Sequence, residues 1–183
     1  MSSSEDGAVL APTGPLAHRS DWRADGCPAA ATLSVVGTRS ALLIMREALY
    51  GTRRFDDFVD RVGVTEAVAS ARLRELTAAG LLHKVPYREP GSRTRHEYRL
   101  TPAGTDFAPV ILALYEWGAE HLLPDGAPLD FRHVGCEAPV HVDIVCDEGH
   151  RVAVDEVHVT APDRGPGGSG QISPTATASR KAR

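Results

Sequence analysis

No stretch of the 183-residue sequence approaches the roughly 20 consecutive apolar residues needed to cross a bilayer, so a membrane protein is not expected. The first 26 residues also lack the basic start and long apolar stretch of a secretory signal, which points to the cytoplasm. Cysteine is scarce. Cys27, Cys136 and Cys146 are too few for a disulfide framework and are expected to be thiols or ligands. Lysine is scarcer still, with Lys84 and Lys181 beside 18 arginines. No Ser-His-Asp arrangement, phosphate-binding glycine loop or pair of catalytic carboxylates stands out, and an enzyme is not expected.

What is present is charge in blocks. The formal net charge is -4, yet residues 124–163 alone carry -7, residues 164–183 carry +4, and residues 64–99 hold seven Lys or Arg against four Glu. Four arginines, Arg88, Arg93, Arg95 and Arg99, cluster around Pro90-Gly91. A local basic patch governs affinity for a polyanion, so an acidic total does not exclude one.

The chain divides by composition. Residues 1–26, polar and broken by prolines, read as a flexible arm; residues 161–183, rich in Gly, Pro, Ser and Thr with a basic end, read as a disordered tail. Between them, residues 27–123 carry a helical pattern. Pro28 starts a first helix that puts Leu33 and Val36 on one side, and Thr38 caps a second, with Leu42, Met45 and Leu49 inward. A short third helix turns Phe55, Phe58 and Val62 inward. Thr65 caps a fourth, over 65–79, whose Ala69, Leu73 and Leu76 share a core face. Ala67, Ser70, Ala71 and Arg74 then lie on its free face. Two strand-like runs follow, "LLHKVPYRE" and "TRHEYRL", joined at Pro90-Gly91 as a hairpin whose arginine-rich wing covers about 86–99. Thr101-Pro102 begins a long last helix with a stripe of Phe107, Val110, Ile111, Leu114 and Trp117. The order predicts an α+β, mainly helical winged helix-turn-helix, in which the fourth helix enters the DNA major groove and the hairpin reaches the flanking backbone or minor groove. The surplus apolar surface of the last helix suits a second subunit, which makes it a dimerisation helix.

These residues resemble the HxlR family of bacterial transcriptional regulators, MarR-like in the broad sense. The resemblance runs from Cys27 to about Trp117 and is carried by "CPAAATLSVVG", "ALLIMREALYGTRRFDDF", "SARLRELTAAGLL", "HEYRLTPAG" and "LYEWG". It implies a homodimer on double-stranded operator DNA. In several members the cysteine matching Cys27 senses oxidants or electrophiles, so a redox, electrophile or small-ligand effector is implied here. The chain departs from the family at Gly37–Ser40, where a tryptophan is usual at position 40, and in the alanines Ala67 and Ala71 on the recognition face.

The DNA-contacting candidates are Thr65, Ser70, Arg72, Arg74, Arg93 and Arg95: guanidinium groups grip guanine edges or phosphates, and hydroxyls bind backbone phosphate. Arg53 and Arg54 could also meet phosphate. The contrary readings are a solvated face in which an arginine pairs with Glu66 or Glu75, and a cap role alone for Thr65. Residues 124–160 read as a small β-rich appendage, with Val140, Val142 and Ile144 on one strand and Val152 and Val154 on the next. Within it, His133-x2-Cys136 and Cys146-x3-His150 have zinc-ligand spacing, as in a zinc-ribbon-like tail, and His141 is a competing ligand. The alternative is a metal-free hairpin. A different class of function, protein interaction through the acidic appendage on a winged-helix scaffold, stands beside the regulator reading.

Overall fold

The computed structural model describes residues 9–13, 26–88 and 94–160. The chain divides into two compact units, Pro28–Asp143 and a second made of the residues up to Cys27 with those from Ile144 onward. The first holds α1 (Pro28–Val36), α2 (Arg39–Leu49), α3 (Phe55–Val62), α4 (Glu66–Ala78), strands β2 (Leu82–Tyr87) and β3 (Arg95–Leu100), then α5 (Pro102–Thr105) and α6 (Ala108–Leu122). In the second unit β1 (Ala11–Pro12) pairs in parallel with β4 (His158–Val159). Within the expected flexible arm, Ala11 and Pro12 are thus paired, and the Thr13 N–H extends the pairing by donating to the Val159 carbonyl at 2.9 Å.

Local signals account for the helix ends. Thr38, Thr65 and Thr101 each accept a hydrogen bond from the backbone N–H three residues on, which satisfies one orphan donor of α2, α4 and α5. At the end of α4, Gly80 takes a left-handed φ of 75°, which lets the Leu81 N–H close on the Leu76 carbonyl at 3.0 Å. Gly104 meets this loop from the other side: a Cβ there would run into the Leu81 carbonyl.

The core lies between α2, α3 and α4 and is closed by the β2–β3 base and α6. Ile44 and Met45 of α2, Phe58 of α3, and Leu73 and Leu76 of α4 are fully buried with Leu82. The expected core face of α4 is borne out, and that of α3 in Phe58 and Val62, with Phe55 half-buried. That of α2 is rotated: Ala41, Ile44, Met45 and Ala48 are buried, whereas Leu42 and Leu49 are only half-buried. Apolar residues surround this helix on more than one side, so periodicity alone misphased it. On α1, Val36 is buried but Leu33 is 62% exposed.

Two further expectations change. The last helix is broken at Asp106-Phe107, because Pro109 cannot donate to a carbonyl one turn back; the break puts it in the first turn of α6, where no donor is needed. The appendage forms no extended hairpin. Its ladder is reduced to single bridges, Arg132 with Pro139 and Val145 with Arg151, and Val154 enters a 3-10 turn. An isolated strand pair with neither face buried is marginal, and Val140, Val142 and Ile144 are all exposed.

Leu73 has no exposed surface and sits where α2, α3 and α4 converge, so Leu73→Ala should cost about 2–5 kcal/mol. Urea unfolding followed by circular dichroism measures the loss.

Candidate nucleic-acid interface

The buried face of α4 fixes where its other face points. With Ala69, Leu73 and Leu76 inward, Ala67, Ser70 and Arg74 are exposed and Ala71 is half-exposed. Arg74 makes no ion pair among the described residues. Arg72 differs: it is half-buried and bound to Glu75 at 2.6 Å, one turn further along the same helix. Thr65 caps α4 through its side chain, which accepts from the Val68 N–H at 3.3 Å.

The wing is fixed at its base. Tyr98 of β3 is buried, lies edge-on to Phe58 with ring centroids 6.2 Å apart, and donates its N–H to the Arg53 carbonyl at 2.8 Å. This hydrogen bond ties the loop before α3 to the base of the wing, and the neighbouring Arg54 lies over the Tyr87 ring at 4.9 Å. The antiparallel register opposes Tyr87 to Arg95. Arg54, Asp56, Tyr87, Thr94, Arg95 and His96 consequently line one polar cleft of about 510 Å³. Sequence reasoning missed Tyr87 and His96 here; the pairing register was the missing information. Arg99 is held by Glu97 at 2.6 Å, while Arg95 is exposed and makes no ion pair among the described residues. Arg93 lies outside the described residues.

The expected dimer stripe is divided. Phe107 and Ile111 are buried in the chain's own core, which leaves Val110 (44% exposed), Leu114 (50%) and Trp117 (56%) outward. Part of α6 is covered from within the chain. The Tyr115 hydroxyl accepts from the Leu129 N–H at 2.9 Å and donates to its carbonyl at 2.8 Å, and Phe131 packs edge-on against the Tyr115 ring at 4.9 Å. Glu116 bonds His141 at 2.6 Å and accepts from the Val142 N–H at 3.1 Å. His141, the competing zinc ligand, is thus engaged elsewhere. Of the expected ligands, His133 Nδ1 lies 3.2 Å from Cys136 Sγ, and the Cys146 N–H donates to the His150 carbonyl at 3.0 Å. The two pairs belong to different units. Among the described residues no group of three or more His, Cys, Asp or Glu side chains is placed to hold a metal ion. All three cysteines, Cys27 included, are exposed free thiols. No single described helix is long and apolar enough to cross a membrane.

The hydrogen bond from His141, followed by that from the Val142 N–H, holds the Glu116 carboxyl below its ordinary range. A depressed carboxyl contributes stability above its unfolded value and loses it as pH falls through the folded one. The segment around Val142 should therefore detach from α6 only below the usual carboxylate range. Glu116→Gln should release it at neutral pH, seen as severalfold faster amide exchange at Val142 with the thermal midpoint of the helical core unchanged.

Residues 35–125 match the family model described as HxlR-like helix-turn-helix. HTH-type transcriptional regulators of Mycobacterium bovis and Mycobacterium tuberculosis are each 38% identical over 154 residues, spanning 83% of this chain and 92% of the relative. Among solved structures, the transcription factor PA1607 superposes with a TM-score of 0.65 at 31% identity, covering 73% of this chain and 93% of that one. PA1374, a transcription factor from Pseudomonas aeruginosa, does so at 0.55 and 33%, covering 78% and 95%. The extent of these matches and the winged helix-turn-helix they share place the chain in the HxlR-like helix-turn-helix family of transcriptional regulators.

Proposed function

We propose that this regulator is a cytoplasmic homodimer that binds double-stranded operator DNA sequence-specifically, with no catalytic activity of its own. The single observation that carries the reading is the uncovered polar face of α4 beside an arginine-bearing wing, both fixed by one core. Arg74 reads base edges from the major groove, and Ser70 and the Thr65 end of α4 meet phosphate. Arg72, held by Glu75, contributes at the helix flank. Arg93 and Arg95 of the wing grip the flanking backbone. The outward residues of α6, Val110, Leu114 and Trp117, form the seam with a second copy and set the distance between the two recognition helices at about one turn of DNA. The proposal keeps Cys27 as the residue that responds to an oxidant or electrophile: its thiol is exposed and immediately precedes Pro28, where α1 begins.

Fluorescence anisotropy with a DNA fragment from upstream of the chain's own gene tests the contacts. Alanine at both Arg93 and Arg95 should weaken binding and reduce the slope of log affinity against log salt by about two. Unchanged binding sinks the wing assignment. Arg74→Ala should instead cost about 1–3 kcal/mol on the preferred sequence and narrow the gap to unrelated DNA.

The seam is tested separately. Leu114→Glu should yield monomers in sedimentation with unchanged helical circular dichroism, and should weaken DNA binding at least about tenfold through lost bivalency.

A further inference from the structure

The segment after α6 does not fill the space against that helix: between them runs a groove of about 390 Å³ that the DNA-binding reading does not use. One wall is the face of α6 that carries Tyr115, Ala119 and Glu120; the other is drawn from residues 127–141, beyond those that match the family model. Ala119 stands on roughly the opposite side of α6 from the outward Val110, Leu114 and Trp117, so a second copy seated on those residues leaves the groove open. Two ties join the walls. The backbone of Leu129 engages the Tyr115 hydroxyl, while His141 and the Val142 N–H engage the Glu116 carboxylate. Ala119 and Ala127 on the lining are too short to fill the space that remains. The charges there do not balance. Glu116, Glu120 and Asp130 stand against Arg132 and His141, so the sum is negative whether or not the imidazole is charged. Arg132 is held by Asp130 at 3.1 Å and by the Glu137 carbonyl at 3.0 Å, and His141 by Glu116 at 2.6 Å. Glu120 is left with the His121 ring, 3.8 Å away, as its one ion-pairing partner among the described residues.

We propose that this groove is a binding site for a small aromatic monocation of the arylalkylammonium class, its ring among Ala119, Leu129 and Phe131 and its ammonium group on Glu120. The volume falls within the roughly 300–1,000 Å³ of small-molecule sites and is too small for a length of polypeptide. The net negative lining disfavours an anion. Tyr115 and Phe131, edge-on with ring centroids 4.9 Å apart, supply aromatic surface that attracts a cation as well as an apolar body, and the carboxylate adds to that attraction. A neutral apolar molecule draws on neither charge effect. An occupant that touches both walls adds a third tie between α6 and the segment after it. Its expected mark is slower amide exchange at Val142, whose N–H Glu116 accepts. The inference goes beyond the regulator reading and does not depend on it, since binding is measured without DNA.

The test is calorimetric titration of the full chain at neutral pH with 2-naphthylmethylamine, which is protonated there, and in parallel with the uncharged 2-naphthylmethanol. The expected result is saturable binding of one amine per chain, about fivefold weaker for the alcohol and for Glu120→Gln, a modest factor because the Glu120 side chain is 73% exposed. Ala119→Phe, which puts a ring into the groove, should abolish binding, and the amine should slow amide exchange at Val142 severalfold. Absence of amine binding to the unaltered chain overturns the proposal. So does equal affinity for amine and alcohol, or indifference to Glu120→Gln, either of which reports unspecific apolar binding. If Ala119→Phe still binds the amine while its Val142 amide exchanges as slowly as in the unaltered chain, the site lies elsewhere and the proposal falls; if that amide exchanges faster, the segment has been displaced and Glu120→Gln alone decides. Neither variant touches the DNA-facing side chains, so anisotropy with the upstream fragment separates the two readings: retained DNA binding alongside failed amine binding leaves the regulator reading intact.

Discussion

The close packing of α2 against α4 is the constraint on which the remainder depends. The two helices are in contact, Ala41, Ala48 and Ala69 are buried, and Ile44, Met45, Leu73 and Leu76 pack in one core with Phe58. Interiors at this density tolerate little rotation of one helix about its axis, because each side chain occupies a hole made by its neighbours. The orientation of α4 is therefore set by its buried half. Its exposed half, with Ser70 and Arg74, follows without further interactions to hold it.

The wing is a consequence of the same core. Phe58, buried by the helices, is also the surface on which Tyr98 rests, and Tyr98 in turn takes the Arg53 carbonyl. From there the strand register places Arg95 opposite Tyr87 and brings Arg54 to the same cleft. Pairing then sorts the arginines. Arg72 and Arg99 are compensated by Glu75 and Glu97, whereas Arg74 and Arg95 make no ion pair among the described residues. Net charge is a poor guide to such a surface. The chain is acidic overall because of residues 124–163, yet Arg74 on the recognition face, Arg95 on the wing and Arg39 on the first turn of α2 are among its described cations without an ion pair.

How much was legible varied with how much each residue depends on distant partners. In α4 the spacing of Ala69, Leu73 and Leu76 against polar neighbours leaves one self-consistent inward face, and the structure buries those three. In α2 the apolar residues Leu42, Leu43, Ile44, Met45 and Leu49 surround most of the helix, so the phase is decided by which of them meets α4. Leu33 reads as core but remains exposed, because burial requires a facing element and periodicity contains none. The stripe of α6 contains residues of two fates, Phe107 and Ile111 inward and Val110, Leu114 and Trp117 outward. The break at Asp106-Phe107 was in principle visible at Pro109, whose missing donor is a local property.

The sequence by itself determined what is local: the threonine caps, the glycine ending α4, the helical periods, the arginine turn and the family pattern. These arise from backbone donors, φ preferences and spacings within a few residues, and they sufficed for the order of elements and hence the winged helix-turn-helix. Only tertiary structure decided which arginines are compensated, how Arg54, Tyr87 and His96 come to share a cleft, how Tyr115 and Glu116 secure the segment after α6, and that Glu120 borders the groove between them. Each of these depends on groups brought together across the fold, and on charges whose effect is set by the partner that chain closure supplies or withholds.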